Sequence, residues 1–145
     1  YGDTHFVKEN KELIQHRREH DFNYRVLVYY GCYIQSTSTF FRRDIVDAGH
    51  LLDVDYRVCM DYEYYVRLAR QGYEFKHLAE PLAAFRWHET NTSAVQLARR
   101  RAERLRVQQE HLAQTGRPAF LRRPGTLAAL YRVYQLKRLW LRGRP

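Results

Sequence analysis

The chain has 145 residues, a hydrophobic content of 45% and a formal net charge of +9. This composition indicates a folded domain and excludes a disordered or collagen-like chain; a membrane-spanning helix is also excluded, because no apolar run approaches ~20 residues. The two cysteines, Cys32 and Cys59, are too few for a four-cysteine zinc site or a disulfide framework, so we interpret them as reduced thiols of a cytoplasmic protein.

The positive charge is confined to the C-terminal part of the sequence. Residues 1–89 have a net charge of −2, whereas residues 90–145 have a net charge of +11. Such an asymmetry indicates an acidic partner for the basic part, either nucleic acid or an anionic membrane. We therefore predict a mixed α/β body over residues 1–90 and a basic helical extension over residues 91–145.

The first sixty residues predict short elements that turn-forming residues separate. Glycines at positions 31 and 49 are typical helix ends, and a run of β-branched and aromatic residues favours a strand. The predicted elements are, in chain order, the end of a strand over 1–3, a polar turn over 8–12, a helix over 22–31, a strand over 33–41, a helical turn over 44–49 and an irregular loop over 50–60.

The clearest helix in the sequence covers residues 62–71. Asp61 is a favourable N-cap for it, and acidic and basic residues lie in its first and last turns respectively. Alternating residues then predict a strand over 73–79, and a second extended run follows over 82–87 after a break at Pro81.

Two basic helices complete the prediction. Residues 93–114 have heptad-like apolar spacing with Ser93 as the cap, and residues 126–141 have Leu and Tyr on one side. Their arginines, with Leu, Tyr and Trp140, are typical of a helix that binds an anionic bilayer surface.

Asp61 is the strongest candidate for chemistry. A carboxylate at a helix N-terminus is fixed by backbone donors and points out of the fold, as a general base must. The alternative is that Asp61 only caps the helix. Glu63 has a similar alternative as a partner of the helix dipole, and His88, at the end of an apolar strand, is either a metal or phosphate contact or a structural histidine.

Four segments follow one another in the sequence: residues 1–3, residues 34–43 with Gly49 after them, residues 60–68 and residues 81–88. Taken together they resemble the C-terminal half of a bacterial family 2 glycosyltransferase of GT-A fold. In this family a Phe-Arg-Arg segment followed by glycine precedes an Asp-Tyr-(Asp/Glu)-x-x-x-Arg helix and a Leu-Ala-x-(Phe/Tyr)-Arg-x-His strand. The resemblance implies an α/β fold, a partial GT-A (Rossmann-like) mixed sheet with flanking helices.

The resemblance also implies a reaction. A sugar would pass with inversion from a nucleotide-sugar donor to the hydroxyl of a glycan or lipid-linked acceptor, with Asp61 as the general base. Gln35, Glu63 and Arg86 would bind substrate, although Arg86 also suits a buried pair with a carboxylate. His88 would help to hold a divalent cation, Mn²⁺ or Mg²⁺, that supports the leaving diphosphate.

The same resemblance implies that a nucleotide-binding half precedes Tyr1. We interpret Asp53-Val54-Asp55 as a loop and not as that half's metal motif. The chain alone is then expected to be inactive and to self-associate through the surface that the missing half would cover. We expect a cytoplasmic protein, peripheral at the inner face of the plasma membrane. The alternative is a non-catalytic module that binds nucleic acid or an anionic membrane through residues 93–145, although no nucleic-acid-binding motif is present.

Overall fold

The computed structural model describes residues 1–91, 95–114 and 118–142, and of residues 122 and 137–142 it describes the backbone alone. Within these residues the chain forms a three-stranded sheet and five α-helices, which confirms the predicted mixed α/β class. The elements are β1 (Gly2–Val7), β2 (Leu13–Arg17), α1 (Tyr24–Tyr30), α2 (Arg43–Asp47), α3 (Met60–Arg70), β3 (Leu78–Arg86), α4 (Leu97–Ala113) and α5 (Pro124–Arg142), with 3₁₀ turns at Ser36–Ser38 and Ala119–Arg122.

The sheet is mixed and has the strand order β2-β1-β3. β1 and β2 pair antiparallel through the predicted polar turn at 8–12, where Lys11 has a positive φ of 68°. β1 pairs parallel with β3, and helices α1 to α3 lie between β2 and β3 in the sequence. Because β1 is central, its alternate side chains determine what lies on each face of the sheet.

Two strand predictions near the N-terminus are wrong. Residues 1–3 begin β1 and do not end a strand, and residues 33–41 form no strand but the 3₁₀ turn Ser36–Ser38. The turn forms because Ser38 Oγ lies 2.6 Å from Thr4 Oγ1 and donates to the Asp3 carbonyl at 2.9 Å. Side-chain hydroxyls that bond to nearby backbone compete with strand pairing, and here they hold the segment against β1.

The prediction for the last strand is partly wrong, although the extended run predicted over 82–87 is confirmed as far as Arg86. Residues 73–77 are not in a strand, and β3 runs through Pro81 without the predicted break. The register with β1 shifts here, from Gly2 opposite Leu78 to Asp3 opposite Pro81. An irregular register on an outer strand accommodates a residue that has no N–H to donate.

The helix predictions are largely confirmed, apart from one boundary. α1 is capped by Asn23, whose Oδ1 accepts the Val26 N–H at 3.1 Å, and it ends at Gly31 with φ of 104°. α2 precedes Gly49 as predicted. α3 begins at Met60, so the prediction that Asp61 is its N-cap is wrong, and Cys59 holds that position. Ser93, the predicted cap of the next helix, lies outside the described residues.

Tyrosine is the most frequent residue in the described core, and the tyrosine hydroxyls bond to other parts of the chain. Tyr62 is 2% exposed, and its hydroxyl donates to the Leu27 carbonyl of α1 at 2.9 Å. Gln108 of α4 donates to the next α1 carbonyls, of Val28 and Tyr29, at 2.9 and 3.0 Å. α3 and α4 therefore both donate to carbonyls at the C-terminal end of α1, where the Leu27 carbonyl also accepts the Gly31 N–H at 3.2 Å.

The two basic helices pack on this same core. The buried apolar side chains of α4 and α5 lie in one cluster with those of α1 and α3. The buried members from the two basic helices are Val107, Leu112, Leu127 and Tyr134.

In the described part of the chain, no helix is both long and apolar enough to cross a membrane.

We predict that Gly31→Ala lowers the free energy of unfolding by about 1–3 kcal/mol, because a φ of 104° with ψ of 176° is accessible to glycine alone. A new Cβ would also lie 3.4 Å from the Tyr131 ring. Urea unfolding measures the change. Gly125→Ala, in α5 with open space around it, is the control and should leave stability unchanged or slightly raised. Equal losses in the two variants would contradict the prediction.

Candidate functional site

Two cavities meet at Asp61. The smaller has a volume of about 280 Å³ and the larger, an open cleft, about 950 Å³. Among the described residues that line them, Asp61 is the only carboxylate in either cavity. The wall between the two is shared, and its residues are Ser36, Arg57, Val58 and Asp61.

Asp61 is held in place by donors from two elements. The backbone N–H of Tyr62, its neighbour in the first turn of α3, donates to Asp61 Oδ1 at 2.7 Å. The hydroxyl of Ser36, in the 3₁₀ turn, donates to the same carboxylate. Burial raises the pKa of Asp61 above its ordinary value, and these hydrogen bonds oppose the rise without cancelling it. The result is a positioned carboxylate that is a stronger base than a solvated one.

Glu103 of α4 fixes the backbone that leads into Asp61. Its carboxylate accepts the N–H groups of Arg57, Val58 and Cys59 at 2.8 to 3.1 Å, and Arg99 donates to it at 2.8 Å. Burial alone would raise the pKa of Glu103, but these hydrogen bonds together lower it to about 2. Since Cys59 provides no side-chain cap, Glu103 supplies from a distant helix an acceptor for the N-cap N–H and for the two N–H groups that precede it.

The smaller cavity has an aromatic wall. The Phe41 ring lies 5.3 Å from the Tyr64 ring in an edge-on arrangement and 6.1 Å from the Tyr65 ring in a stacked one. The Tyr65 hydroxyl donates to Thr39 Oγ1 at 3.3 Å, so its ring is fixed. Such a surface suits the flat apolar face of a ring-shaped ligand that also presents polar groups.

The larger cleft is strongly positive. Six arginines line it, against the single carboxylate of Asp61. Three of them come from α4 and one from α5, and the others come from β2 and from the loop before α3. These residues are Arg17, Arg57, Arg100, Arg101, Arg104 and Arg132.

Most of these arginines have no acidic partner within the described residues. Arg17 pairs with Glu19 at 2.5 Å, but no ion pair forms at the other five. The chain has no Asp or Glu after Glu110, so α5 carries no acid to neutralise them. Arg104 is stacked on the Tyr131 ring at 3.7 Å, and its buried Nε has no hydrogen-bond partner within the described residues.

The structure brings together some of the predicted site residues and separates others. Gln35 lines the larger cleft with Asp61. Glu63 is buried and forms a bidentate pair with Arg67, and it lines neither cavity. Arg86 is exposed and also lines neither cavity, since its strand neighbours face the cleft and alternate side chains point to opposite faces.

His88 lies just behind the cleft. Its Nδ1 is 2.8 Å from Thr90 Oγ1, and its Nε2 accepts from Asn91 Nδ2 at 3.0 Å. Asn91 itself lines the cleft. Both ring nitrogens are therefore engaged, and the described ranges contain no group of three or more His, Cys, Asp or Glu side chains placed to share a metal ion. The described residues do not fit a divalent cation on their own.

Sequence reasoning missed the contribution of α4 to the site. It assigned the arginines of this helix to a separate surface, but residues 100, 101 and 104 share a helix face that turns towards Asp61. A signal was present, because Glu103 is the only acid among five arginines between 99 and 106. A lone acid in such a run indicates a specific partner.

A scan against known protein families, a search of curated proteins and a search of solved structures each give no match to this chain. What the site does must therefore be argued from its geometry and chemistry.

We predict that Glu103→Gln lowers the free energy of unfolding at pH 7 by about 2–4 kcal/mol, because a neutral amide accepts these backbone hydrogen bonds more weakly. Since the pKa of Glu103 is lowered from 4.5 to about 2, its contribution is complete above pH 4.5 and is lost as the pH falls towards 2. Urea unfolding at several pH values should show the two proteins converging in acid.

Glu110→Gln is the matched control on the same helix. Glu110 pairs with Arg106 at 2.7 Å and accepts the Tyr56 hydroxyl at 2.7 Å. Because its side chain is 45% exposed and a glutamine oxygen can still accept from Tyr56, the loss of its charge should cost less than about 1 kcal/mol. A Glu103→Gln effect no larger than that of the control, or one that persists at pH 2, would contradict the role given to Glu103.

Proposed function

We propose that this chain is the acceptor-side part of an inverting glycosyltransferase, with Asp61 as the general base. The observation that carries the proposal is that Asp61, alone among the carboxylates of the described residues, lines the two adjoining cavities, with a raised pKa and hydrogen bonds that fix its orientation. A single displacement at a sugar carbon needs one such base, positioned to accept the proton of the attacking hydroxyl.

The surroundings of Asp61 support a sugar substrate. On one side lies the aromatic wall of Phe41, Tyr64 and Tyr65, which suits the apolar face of a sugar ring. On the other lies the arginine-lined cleft, which suits the anionic groups that activated or linked sugars carry. Gln35, in the same cleft, offers both a donor and an acceptor to sugar hydroxyls.

The fold is compatible with part of a GT-A domain, and we include that assignment in the proposal. In the described residues β2 and β3 are the outer strands of the sheet, each paired only with β1. Leu13 and Ile14 of β2 are 53% and 48% exposed. Outer strands with exposed apolar residues favour further pairing, so self-association of the chain stays a prediction.

The divalent cation stays part of the proposal for a complete enzyme. When bound, Mn²⁺ or Mg²⁺ would stabilise the charge of a leaving diphosphate. The described residues contribute only His88 near the cleft, already engaged by Thr90 and Asn91. We therefore assign to this chain the acceptor proton and the anionic surface, and no step through the metal.

Location at an anionic membrane stays a proposal too. The positive charge that residues 93–145 carry in sequence would bind such a surface, while the arginines of α4 that line the cleft would be used at the site. The same helices would serve the non-catalytic alternative, in which the basic region alone binds nucleic acid or membrane. A requirement for Asp61 distinguishes the two readings.

We predict that Asp61→Asn lowers kcat for sugar transfer at least 100-fold, because a general base contributes about 10²–10⁴. The assay measures nucleotide release from UDP- and GDP-sugars with Mn²⁺ or Mg²⁺, using the longest natural reading frame that contains these 145 residues. Asp55→Asn, in an exposed loop, is the control and should keep full activity.

Circular dichroism and the melting temperature establish that the Asp61 variant is folded. Transfer that is indifferent to Asp61, or a reading frame with no sugar-transfer activity for any of these donors, would overturn the proposal.

We further predict that Asp61→Asn raises the free energy of unfolding at pH 7. Because burial raises the folded-state pKa of Asp61 above 3.8, ionisation of this group costs stability. This cost to the free energy of unfolding is absent below pH 3.8. It develops as the pH rises from 3.8 to the raised folded-state pKa and is constant above it. Urea unfolding across this range should therefore show the variant gaining on the wild type as the pH increases, and a variant less stable at pH 7 would contradict the assignment.

A further inference from the structure

The arginines of α4 and α5 form one continuous wall of the larger cleft. Arg100, Arg101 and Arg104 share a face of α4, and Arg132 of α5 completes the wall. Arg101 and Arg132 are exposed, whereas Arg100 and Arg104 are half-buried. The wall therefore extends from the mouth of the cleft to its interior.

We propose that this wall binds a phosphate group of the acceptor substrate. The assignment to the acceptor rests on the proposed function, because a general base contacts the acceptor hydroxyl, and the wall lines the same cleft as Asp61. The ligand is thus a glycan phosphate or diphosphate, with one hydroxyl at Asp61 and its anionic group on the arginines.

Charge supports the binding of an anion here. Among the described residues, the arginines share the cleft with one carboxylate, Asp61, and no acidic residue follows Glu110 in the sequence to neutralise those of α5. A cleft of one sign concentrates ions of the other sign. Arginine rather than lysine provides the charge, and its planar donor group matches the oxygens of a phosphate in pairs.

Arg104 is the most specific element of the wall. Its guanidinium stacks on the Tyr131 ring at 3.7 Å, which fixes its plane. Its Nε is buried and lacks a hydrogen-bond partner within the described residues. A buried N–H without an acceptor is costly, and a phosphate oxygen in the cleft would accept a hydrogen bond from this part of the Arg104 guanidinium.

The first test is calorimetric titration of the 145-residue chain with inorganic pyrophosphate at 0.15 M NaCl. We expect saturable binding of one equivalent. The double variant Arg101→Gln/Arg132→Gln, which changes two exposed side chains, should weaken it at least tenfold. Arg106→Gln removes a charge from α4 outside the cleft and should change the affinity less than twofold.

Asp61→Asn separates this proposal from the proposed function. Removing the one carboxylate that the described residues contribute to the cleft should leave pyrophosphate binding unchanged or strengthen it, even where transfer is lost. Pyrophosphate binding that depends on the wall, together with transfer that ignores Asp61, would overturn the catalytic assignment and leave an anion site.

The second test identifies the source of the phosphate. For an acceptor phosphate, glucose 1-phosphate should compete with pyrophosphate, and UDP should bind no more tightly than pyrophosphate. UDP binding at least tenfold tighter, with the same dependence on the wall, would assign the arginines to the donor and overturn the acceptor claim.

Two further results would overturn the proposal outright. One is no saturable binding, or equal weakening by Arg106→Gln, since either means that only net charge matters. The other is a single-stranded oligonucleotide that binds far more tightly than pyrophosphate with the same arginine dependence, which indicates a nucleic-acid surface.

Discussion

The carboxylate of Glu103 is the interaction on which the site depends. The backbone that leads into α3 has N–H groups outside the helix, and Cys59 at the N-cap position offers no side-chain acceptor. Glu103 reaches across from α4 and accepts the N–H groups of Arg57 to Cys59. The position of Asp61, two residues further on, is therefore set by a residue more than forty positions away in sequence.

Two carboxylates at the same helix end have opposite electrostatic characters. Glu103 has several backbone donors and Arg99, which overcome the cost of burial and lower its pKa to about 2. Asp61 has the Tyr62 N–H and the Ser36 hydroxyl, which do not overcome it, so its pKa is raised. One carboxylate is thereby a fixed negative charge that stabilises the fold, while the other keeps the affinity for protons that base chemistry uses.

The sequence predicts the parts of this fold that local chemistry determines. The helix that ends at Gly31 and the turn at 8–12 follow from glycine and polar residues, and both are present. The strand predicted over 33–41 fails because Ser38 bonds to β1, a contact that propensity cannot anticipate. The predicted break at Pro81 fails for a similar reason, since β3 continues through Pro81 by a shift in its register with β1.

The candidate site shows the same division. Its place in a sequence motif makes Asp61 a candidate site residue, and the structure places Gln35 in the same cleft. Alternation along β3 places Arg86 away from the cleft, and pairing with Arg67 holds Glu63 inside the protein. The arginine wall was not predicted, because it requires knowing that α4 folds back onto α3.

The long-range contact of Glu103 also has a consequence for how the chain matures on the ribosome. Synthesis proceeds from the N-terminus, so residues 57–59 leave the exit tunnel before Glu103 is made. Until then their N–H groups bond to water, and the backbone that leads into α3 is not held in place. The cavities at Asp61 therefore form only once the basic C-terminal helices have been synthesised and have docked. A nascent chain stopped before α4 contains every residue of the predicted motif, but its site has not yet formed.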